Sequence, residues 1–179
     1  MKKILLTSAF IALGLTSLSS LAKDGTVVFN GTITQSGCEV SNATDGTITV
    51  DMGNYSSSAL ATAGQTAGPK PFEIDLKECA TGSVKVRFDG TAVSGNANLL
   101  ALTATGAEND PASSVGIQVT DLSSGGVYTF GDSSNAVAYQ TLDDTGALNI
   151  KMAARYYAYA DGTPSGAANA TTDFSIEYQ

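Results

Sequence analysis

Apolar and polar residues alternate along most of this chain, which is the period-two pattern of half-buried β-strands. The alternation is cleanest over residues 72–77, where Phe72, Ile74 and Leu76 lie on one face, and residues 83–89 repeat it after a Thr-Gly turn. Further strands are predicted at residues 26–33, 47–52, 99–103, 115–121, 127–130, 148–160 and 171–177. Short strands joined by loops of Gly, Ser, Asn and Asp, with almost no helical periodicity, indicate one all-β domain, a sandwich or a barrel.

Two of the intervening segments carry turn signals. Residues 53–71 are rich in Ser, Ala, Gly and Thr and are interrupted by Gly and Pro. They are therefore predicted to form a connection that includes at most a short helical turn near residues 57–63. Residues 123–126, Ser-Ser-Gly-Gly, lie between two alternating runs and predict a hairpin.

The first and last alternating runs are unusual. The apolar face of the first run consists of Val27, Phe29, Gly31 and Ile33, with a gap where the glycine has no side chain. The last run presents Phe174, Ile176 and Tyr178, and the chain stops at Gln179 with no further strand to cover it. We hypothesise that the first strand of one molecule completes the fold of another.

The N-terminus has the pattern of a secretory signal. Met1-Lys2-Lys3 precedes an apolar run over residues 4–15, and Ser20-Leu21-Ala22 fits a small-residue cleavage site. A retained membrane anchor is the alternative, but the apolar run is shorter than the roughly 20 residues that a spanning helix needs. The sequence predicts a signal peptide over residues 1–22 and a mature chain that begins at Lys23.

The charge balance argues against nucleic acid as a partner. The formal charge is −8, and it becomes −10 when Lys2 and Lys3 leave with the signal peptide. An acidic surface repels phosphate backbones, and no basic cluster is present that would bind an anionic membrane surface.

The two cysteines are predicted to form a disulfide. Cys38 and Cys79 lie 41 positions apart in a chain predicted to be exported, where oxidation is favoured. Closing such a loop stabilises the fold by about 4 kcal/mol in the loop-entropy model. A catalytic or metal-binding role would need CxxC spacing or nearby histidines, and the chain contains no histidine.

The same absence of histidine removes the usual catalytic and metal-binding arrangements. No Ser-His-Asp or Cys-His grouping and no usual zinc site can form, and no cofactor or metal is predicted. The tightest acidic clusters are Asp143-Asp144 and Glu108-Asn109-Asp110. Paired carboxylates could serve glycoside hydrolysis or bind calcium, but the spacing of a calcium loop is lacking. Both clusters are predicted to be solvated turns, and the protein is not predicted to be an enzyme.

Three tyrosines near the end of the chain leave two interpretations open. Tyr157 and Tyr159 share one strand face and Tyr156 takes the other. They could form an aromatic platform for a sugar, or they could pack against the core.

Several segments, in order, resemble the structural subunits of chaperone–usher pili, close to the type 1 fimbrial major-subunit family. The similarity covers essentially the whole mature chain. It is carried by residues 25–31 (Gly-Thr-Val-Val-Phe-Asn-Gly), 72–79 (Phe-Glu-Ile-Asp-Leu-Lys-Glu-Cys), 115–119 (Val-Gly-Ile-Gln-Val), 154–157 (Ala-Arg-Tyr-Tyr) and the ending 163–179. The family's glycine at the fourteenth residue from the C-terminus and its penultimate tyrosine match Gly166 and Tyr178.

The resemblance implies an incomplete immunoglobulin-like sandwich that lacks its final strand, with a hydrophobic groove beside the last strand. Residues 23–33 would be a donor arm and residues 34–179 the pilin domain. The donor side chains would be Val27, Phe29, Gly31 and Ile33, and the groove or chaperone-binding residues would be Gly166, Phe174, Ile176 and Tyr178.

The resemblance also implies partners and a location. The subunit would cross the periplasm with a pilus chaperone in its groove. At an outer-membrane usher, the arm of an identical or related subunit would replace the chaperone, giving a head-to-tail surface fimbria for adhesion. This exchange is an established form of β-strand addition. The alternative is a secreted monomer, either an immunoglobulin-like domain or a carbohydrate-binding module that uses Tyr157 and Tyr159.

Overall fold

The computed structural model describes residues 27–29, 37–80, 82–104, 106, 111–131 and 137–179. The chain divides into two units, Met1–Ile33 and Thr34–Gln179, and every strand given below belongs to the second. The predicted signal peptide lies outside the described residues. Across the described ranges, none of the helices has the length and apolar character needed to cross a membrane.

The regular secondary structure described in the second unit is almost entirely β-strand. The 3-10 helix Ser57–Leu60 confirms the short turn predicted near residues 57–63. The strands are β1 Glu39–Val40, β2 Thr66–Lys77, β3 Ser83–Phe88, β4 Ala92–Val93, β5 Asn96–Ala101, β6 Val115–Asp121, β7 Gln140–Thr141, β8 Leu148–Ala158 and β9 Phe174–Tyr178.

These strands form two antiparallel sheets. The larger sheet has the order β1-β2-β8-β6-β5-β4, and the smaller has the order β7-β3-β9. Strand β9 pairs with β3 and places Val86 opposite Ile176. The last strand of the chain is therefore an edge strand in the described part of the smaller sheet.

The alternation read from the sequence places the core between the sheets. The inward side chains of β3 are Val84, Val86 and Phe88, and those of the larger sheet include Ile74, Leu76, Ile150 and Met152. All seven are buried. The sandwich and the strands predicted at residues 72–77, 83–89, 115–121, 148–160 and 171–177 are confirmed, with small differences at their ends.

The prediction of a connection over residues 53–71 is wrong at its C-terminal end. Strand β2 begins at Thr66, and its pairing with β8 shifts register between Ala67 and Lys70. Gly68 occupies this bulge with a φ of +64°. A bulge accommodates glycine and proline that regular pairing would reject, which is why residues that read as strand breakers lie within a strand.

Two predicted strands are absent from the sheets. Within residues 47–52, only Thr47 makes a bridge, to Thr44. In residues 127–130, Val127 bridges Thr120 and the Tyr128 N–H donates to the Val119 carbonyl at 2.9 Å. The predicted hairpin turn therefore forms, but its second arm does not continue as a strand.

A buried carboxylate that sequence reasoning missed holds this hairpin. Asp121 Oδ1 accepts hydrogen bonds from the Ser123 N–H at 2.9 Å and from the N–H and Oγ of Ser124 at 2.6 and 2.8 Å. Asp121 Oδ2 accepts from Gln140 Nε2 at 2.8 Å and lies 3.5 Å from Tyr128 Oη. These contacts satisfy a fully buried charge and tie β6 to β7.

Candidate functional site

A groove with an apolar floor runs beside β9, between two lips. Its volume is about 1030 Å³. We call residues 46–54 the first lip, and residues 168–174 with Ile176 the second lip. The floor between the lips comes from both sheets and includes Phe72, Ile74, Phe88, Ile117, Val119, Ala154 and Tyr156.

The first lip carries the alternation that predicted a strand over residues 47–52. Ile48, Val50 and Met52 are half-buried and line the groove, while the residues between them are exposed. No described strand pairs with this lip. The side-chain pattern of a strand is therefore present in a segment whose backbone has no sheet partner.

The second lip ends in an unpaired strand edge. Ser83 and Gln179 exchange backbone hydrogen bonds in both directions, at 2.9 and 3.4 Å. This register directs the backbone of Phe174 and Ile176 away from β3. No described strand pairs with that outer edge. Since both side chains line the groove, apolar surface and open backbone hydrogen-bonding groups lie side by side.

Charged side chains hold β9 on β3 from the opposite face of the small sheet. Glu177 lies 3.0 Å from Lys85 Nζ and 3.8 Å from Arg87 Nε. Arg87 also pairs with Asp89 at 2.7 Å. Exposed pairs of this kind contribute little singly, but several of them together fix the position of the edge strand.

Tyr156 connects the floor of the groove to the second lip. Tyr156 is buried in the floor, and its Oη donates to the Ala168 carbonyl of the second lip at 3.0 Å. The ring of Tyr55 packs edge-on against it, with centroids 6.0 Å apart. Burial raises the pKa of the Tyr156 hydroxyl, and Tyr55 and Asp51 add to this effect.

Comparison with known proteins decides the family. The family model described as "Fimbrial protein" matches residues 27–179. This chain belongs to the fimbrial protein family. It is 38% identical to a type-1 fimbrial protein subunit of Serratia marcescens over 182 residues, covering 100% of each chain. It is 34% identical to the type-1 fimbrial protein A chain of Escherichia coli (strain K12) over 185 residues, covering 97% of this chain and 98% of that one.

Solved structures of pilus subunits have the same fold as this fimbrial protein. A subunit from a chaperone–usher pilus, solved to explain rod uncoiling, is 26% identical with a TM-score of 0.64, covering 88% of this chain and 96% of its own. The P pilus rod subunit PapA is 26% identical with a TM-score of 0.59, covering 86% of this chain and 100% of its own. The resemblance and the immunoglobulin-like fold are confirmed, and the protein is a structural fimbrial subunit of a family found in surface fimbriae.

The residues predicted for the donor arm are described only in part. Val27 and Phe29 are 75% and 92% exposed. Gly31 and Ile33 lie outside the described residues.

The residues predicted for the C-terminal groove are not all at the groove. Phe174 and Ile176 line it. Gly166 is exposed in the segment between β8 and β9. Tyr178 ends β9 and is 40% exposed, and neither Gly166 nor Tyr178 is part of the groove lining. Their predicted contact with a chaperone stays a prediction.

Tyr178 has a partner at the other end of the domain. Its Oη accepts a hydrogen bond from the backbone N–H of Cys38 at 2.7 Å. Cys38 and Cys79 form the predicted disulfide, which is confirmed. The beginning of the domain is thus attached both to the end of β9 and to the loop after β2.

The acidic clusters give no arrangement for catalysis or for a metal in the described chain. Asp143 is exposed and accepts from Thr145 Oγ1 at 2.6 Å and from the Ala147 N–H at 2.9 Å, as a turn-closing residue does. Hydrogen bonds from Thr145 and Ala147 hold the pKa of Asp143 below its ordinary value. Glu108 and Asp110 lie outside the described residues. The described ranges contain no cluster of carboxylate and cysteine side chains able to hold a metal ion.

The tyrosine cluster is divided between the core and the surface. Tyr156 packs in the core, while Tyr159 is 41% exposed and lines a separate cavity of about 320 Å³. Of the residues that line the groove, the sequence predicted only those of β9. The alternation of residues 47–52 was its one visible sign.

Proposed function

We propose that this fimbrial subunit polymerises head-to-tail by donor-strand exchange, in which residues 26–33 of one copy fill the groove of the next. The observation that supports this most directly is the groove itself, which combines an apolar floor with the unpaired edge of β9. An added strand would satisfy the backbone of β9 and would give the first lip a sheet partner.

The arm matches the groove in length and in side-chain pattern. The segment of the arm proposed to fill the groove, residues 26–33, has eight residues, and the first lip has nine. An extended segment of eight residues spans about 26 Å at about 3.3 Å per residue. Val27, Phe29 and Ile33 would enter the groove on alternate positions, and Gly31 would lie over a shallow part of the floor, where a larger side chain would clash.

The energies favour a durable joint. Burying each of the three large apolar side chains stabilises the joint by roughly 1.5–3 kcal/mol. Each new backbone hydrogen bond adds about 1 kcal/mol. The donor residue Phe29 has 92% of its surface available to lose. A contact of this type is head-to-tail, and such contacts produce open filaments when they do not close into a ring.

An empty groove explains the need for further partners. Exposed apolar surface beside an unpaired strand edge is an aggregation hazard. A periplasmic chaperone would cover β9, with Phe174, Ile176, Tyr178 and the preceding Gly166 in its footprint, until an outer-membrane usher brings the next arm. The predicted signal peptide would deliver the chain to that route.

The first test is a substitution in the arm. Phe29→Asp places a charge where the groove is apolar, so we expect it to abolish incorporation into fibres. Val28→Asp is the matched control, because in an extended donor strand this neighbouring side chain would point away from the groove, so the substitution should be tolerated. Electron microscopy of surface fibres and native gels of released subunits are the measurements.

A second experiment deletes the donor arm, residues 23–33. The shortened chain should remain unpolymerised and should form a stable complex with a synthetic peptide of residues 23–37. Normal fibres from Phe29→Asp would rule out the donor arm. Stable monomers from both the complete and the shortened chain would instead favour a self-sufficient secreted domain.

A further inference from the structure

The aromatic side chain of Tyr55 packs the end of the first lip against the body of the domain. Tyr55 follows the first lip directly, and its ring lies over the backbone of Gly68 in the bulge of β2. A Cβ atom added to Gly68 would lie 2.5 Å from Cζ and 2.6 Å from Oη of Tyr55, closer than real Cβ contacts allow. The site on β2 therefore accepts this ring only because residue 68 is glycine.

The same ring reaches the floor of the groove. Tyr55 packs edge-on against Tyr156 at an interplanar angle of 70°. Edge-on pairs at this separation are favourable because the positive ring edge meets the negative face. Tyr156 in turn donates to Ala168 of the second lip. A continuous series of contacts thus joins the residue that follows the first lip, the floor and the second lip.

The rest of the first lip packs Ile48 and Met52 against the core, and its backbone is hydrogen-bonded at its beginning. Thr44 and Thr47 exchange backbone hydrogen bonds at 2.9 and 3.0 Å. Just before them, Asn42 accepts from the Asp75 N–H at 3.0 Å and donates to the Glu73 carbonyl at 2.9 Å. Between this attachment and Tyr55, the lip has no pairing with a described strand.

We infer that Tyr55 is a positioning residue for assembly: seated on Gly68 and Tyr156, it holds the open first lip at the spacing from β9 that an incoming strand requires. This inference rests on the proposed donor-strand function. Its physical basis is preorganisation, since a lip that is ordered before the strand arrives loses less conformational freedom on binding.

The experiment measures binding of a labelled synthetic peptide of residues 23–37 to the full exported chain. Phe29→Asp is present in every sample to suppress self-assembly. Tyr55→Ala and Gly68→Ala should each raise the Kd of the peptide by about tenfold, the effect of one or two side chains that must be ordered on binding. Amide hydrogen exchange should rise over residues 47–54 and stay unchanged in β3 and β8.

Three variants serve as controls. Tyr55→Phe keeps the ring and should restore the binding and exchange of the parent chain. Tyr159→Ala removes a tyrosine of similar exposure, 41% against 42% for Tyr55, that is not part of the groove lining. Gly95→Ala introduces the same kind of backbone strain, at a φ of +77°, at a position with no atom within 4 Å of the added Cβ. Tyr159→Ala and Gly95→Ala should both bind the peptide and exchange amide hydrogens like the parent chain.

The outcomes separate the two proposals. If no chain binds the peptide, the donor-strand function fails and the role of Tyr55 in assembly fails with it. If the parent chain binds and Tyr55→Ala binds equally well, only the role of Tyr55 is overturned, whatever the exchange data show. Should Gly68→Ala not fold, the comparison of Tyr55→Ala with Tyr55→Phe decides by itself.

Discussion

At the scale of single residues, Asp121 is a fully buried carboxylate at the end of β6. Its carboxylate accepts hydrogen bonds from two backbone amides and from two side chains around the hairpin that follows β6. Tyr128 is fully buried beside it. Burial raises the pKa of the Tyr128 hydroxyl, and the negative charge of Asp121 raises it further.

This shift predicts that the subunit loses stability in alkali. In the folded chain Tyr128 stays protonated at pH values at which the unfolded chain has lost the proton. Its contribution is therefore complete below the ordinary tyrosine pKa of 10.0 and falls as the pH rises above it. Urea denaturation midpoints between pH 8 and pH 11 should decrease more steeply for the parent chain than for Tyr128→Phe. Equal slopes would contradict the assignment.

At the scale of elements, the last strand has two different edges. One edge pairs with β3, and this pairing ends in the reciprocal backbone hydrogen bonds between Ser83 and Gln179. The ion pair of Glu177 with Lys85, on the face of the small sheet away from the groove, supports it. The other edge has no described partner and adjoins the groove. The sequence pattern predicted the strand, but only the register identified which backbone groups are left open.

Deleting Tyr178-Gln179 should therefore lower the amount of subunit in the periplasm. The deletion removes the reciprocal bonds to Ser83 and the acceptor for the Cys38 N–H, so the edge strand loses its anchor. Tyr178→Phe is the control: it keeps the ring and the strand, loses one hydrogen bond worth about 1 kcal/mol, and should give nearly normal levels. Immunoblots of periplasmic fractions measure both. Undiminished levels after the deletion would argue against this role.

At the scale of the whole molecule, the domain is closed on itself at one end and open along one side. The disulfide and the Tyr178 hydroxyl hold the start of the domain against β2 and β9. The groove runs along the side where the two sheets are joined by no described strand. Under the proposed function, a second chain covers that side of the subunit.

Loss of the disulfide should weaken the domain before assembly. Cys38→Ser with Cys79→Ser should lower the free energy of unfolding by about 2–4 kcal/mol, because the unfolded chain gains freedom. Urea denaturation of the subunit complexed with the peptide of residues 23–37 measures this. Because neither cysteine lines the groove, variants that fold should still bind the peptide. An unchanged free energy of unfolding would contradict the structural role of the bond.

The sequence by itself determined the sheet content, the inward faces and the disulfide. The alternation of apolar and polar residues is a local property, and a cysteine pair in a chain with a signal peptide is expected to be oxidised. It also indicated a strand at residues 47–52 that the sheets do not contain. That disagreement is informative, since the side chains of Ile48, Val50 and Met52 line the groove while none of the described strands pairs with their backbone.

The tertiary structure decided the rest. The floor of the groove draws on four strands from two sheets, β2, β3, β6 and β8, and no local pattern specifies which of their residues meet. The same holds for the contact of Tyr55 with Gly68, where a bulge and a ring separated along the chain must coincide. Sequence periodicity determines which face of a strand is apolar. Which strand has an open edge can be recognised only from the order of all the strands in the sheets.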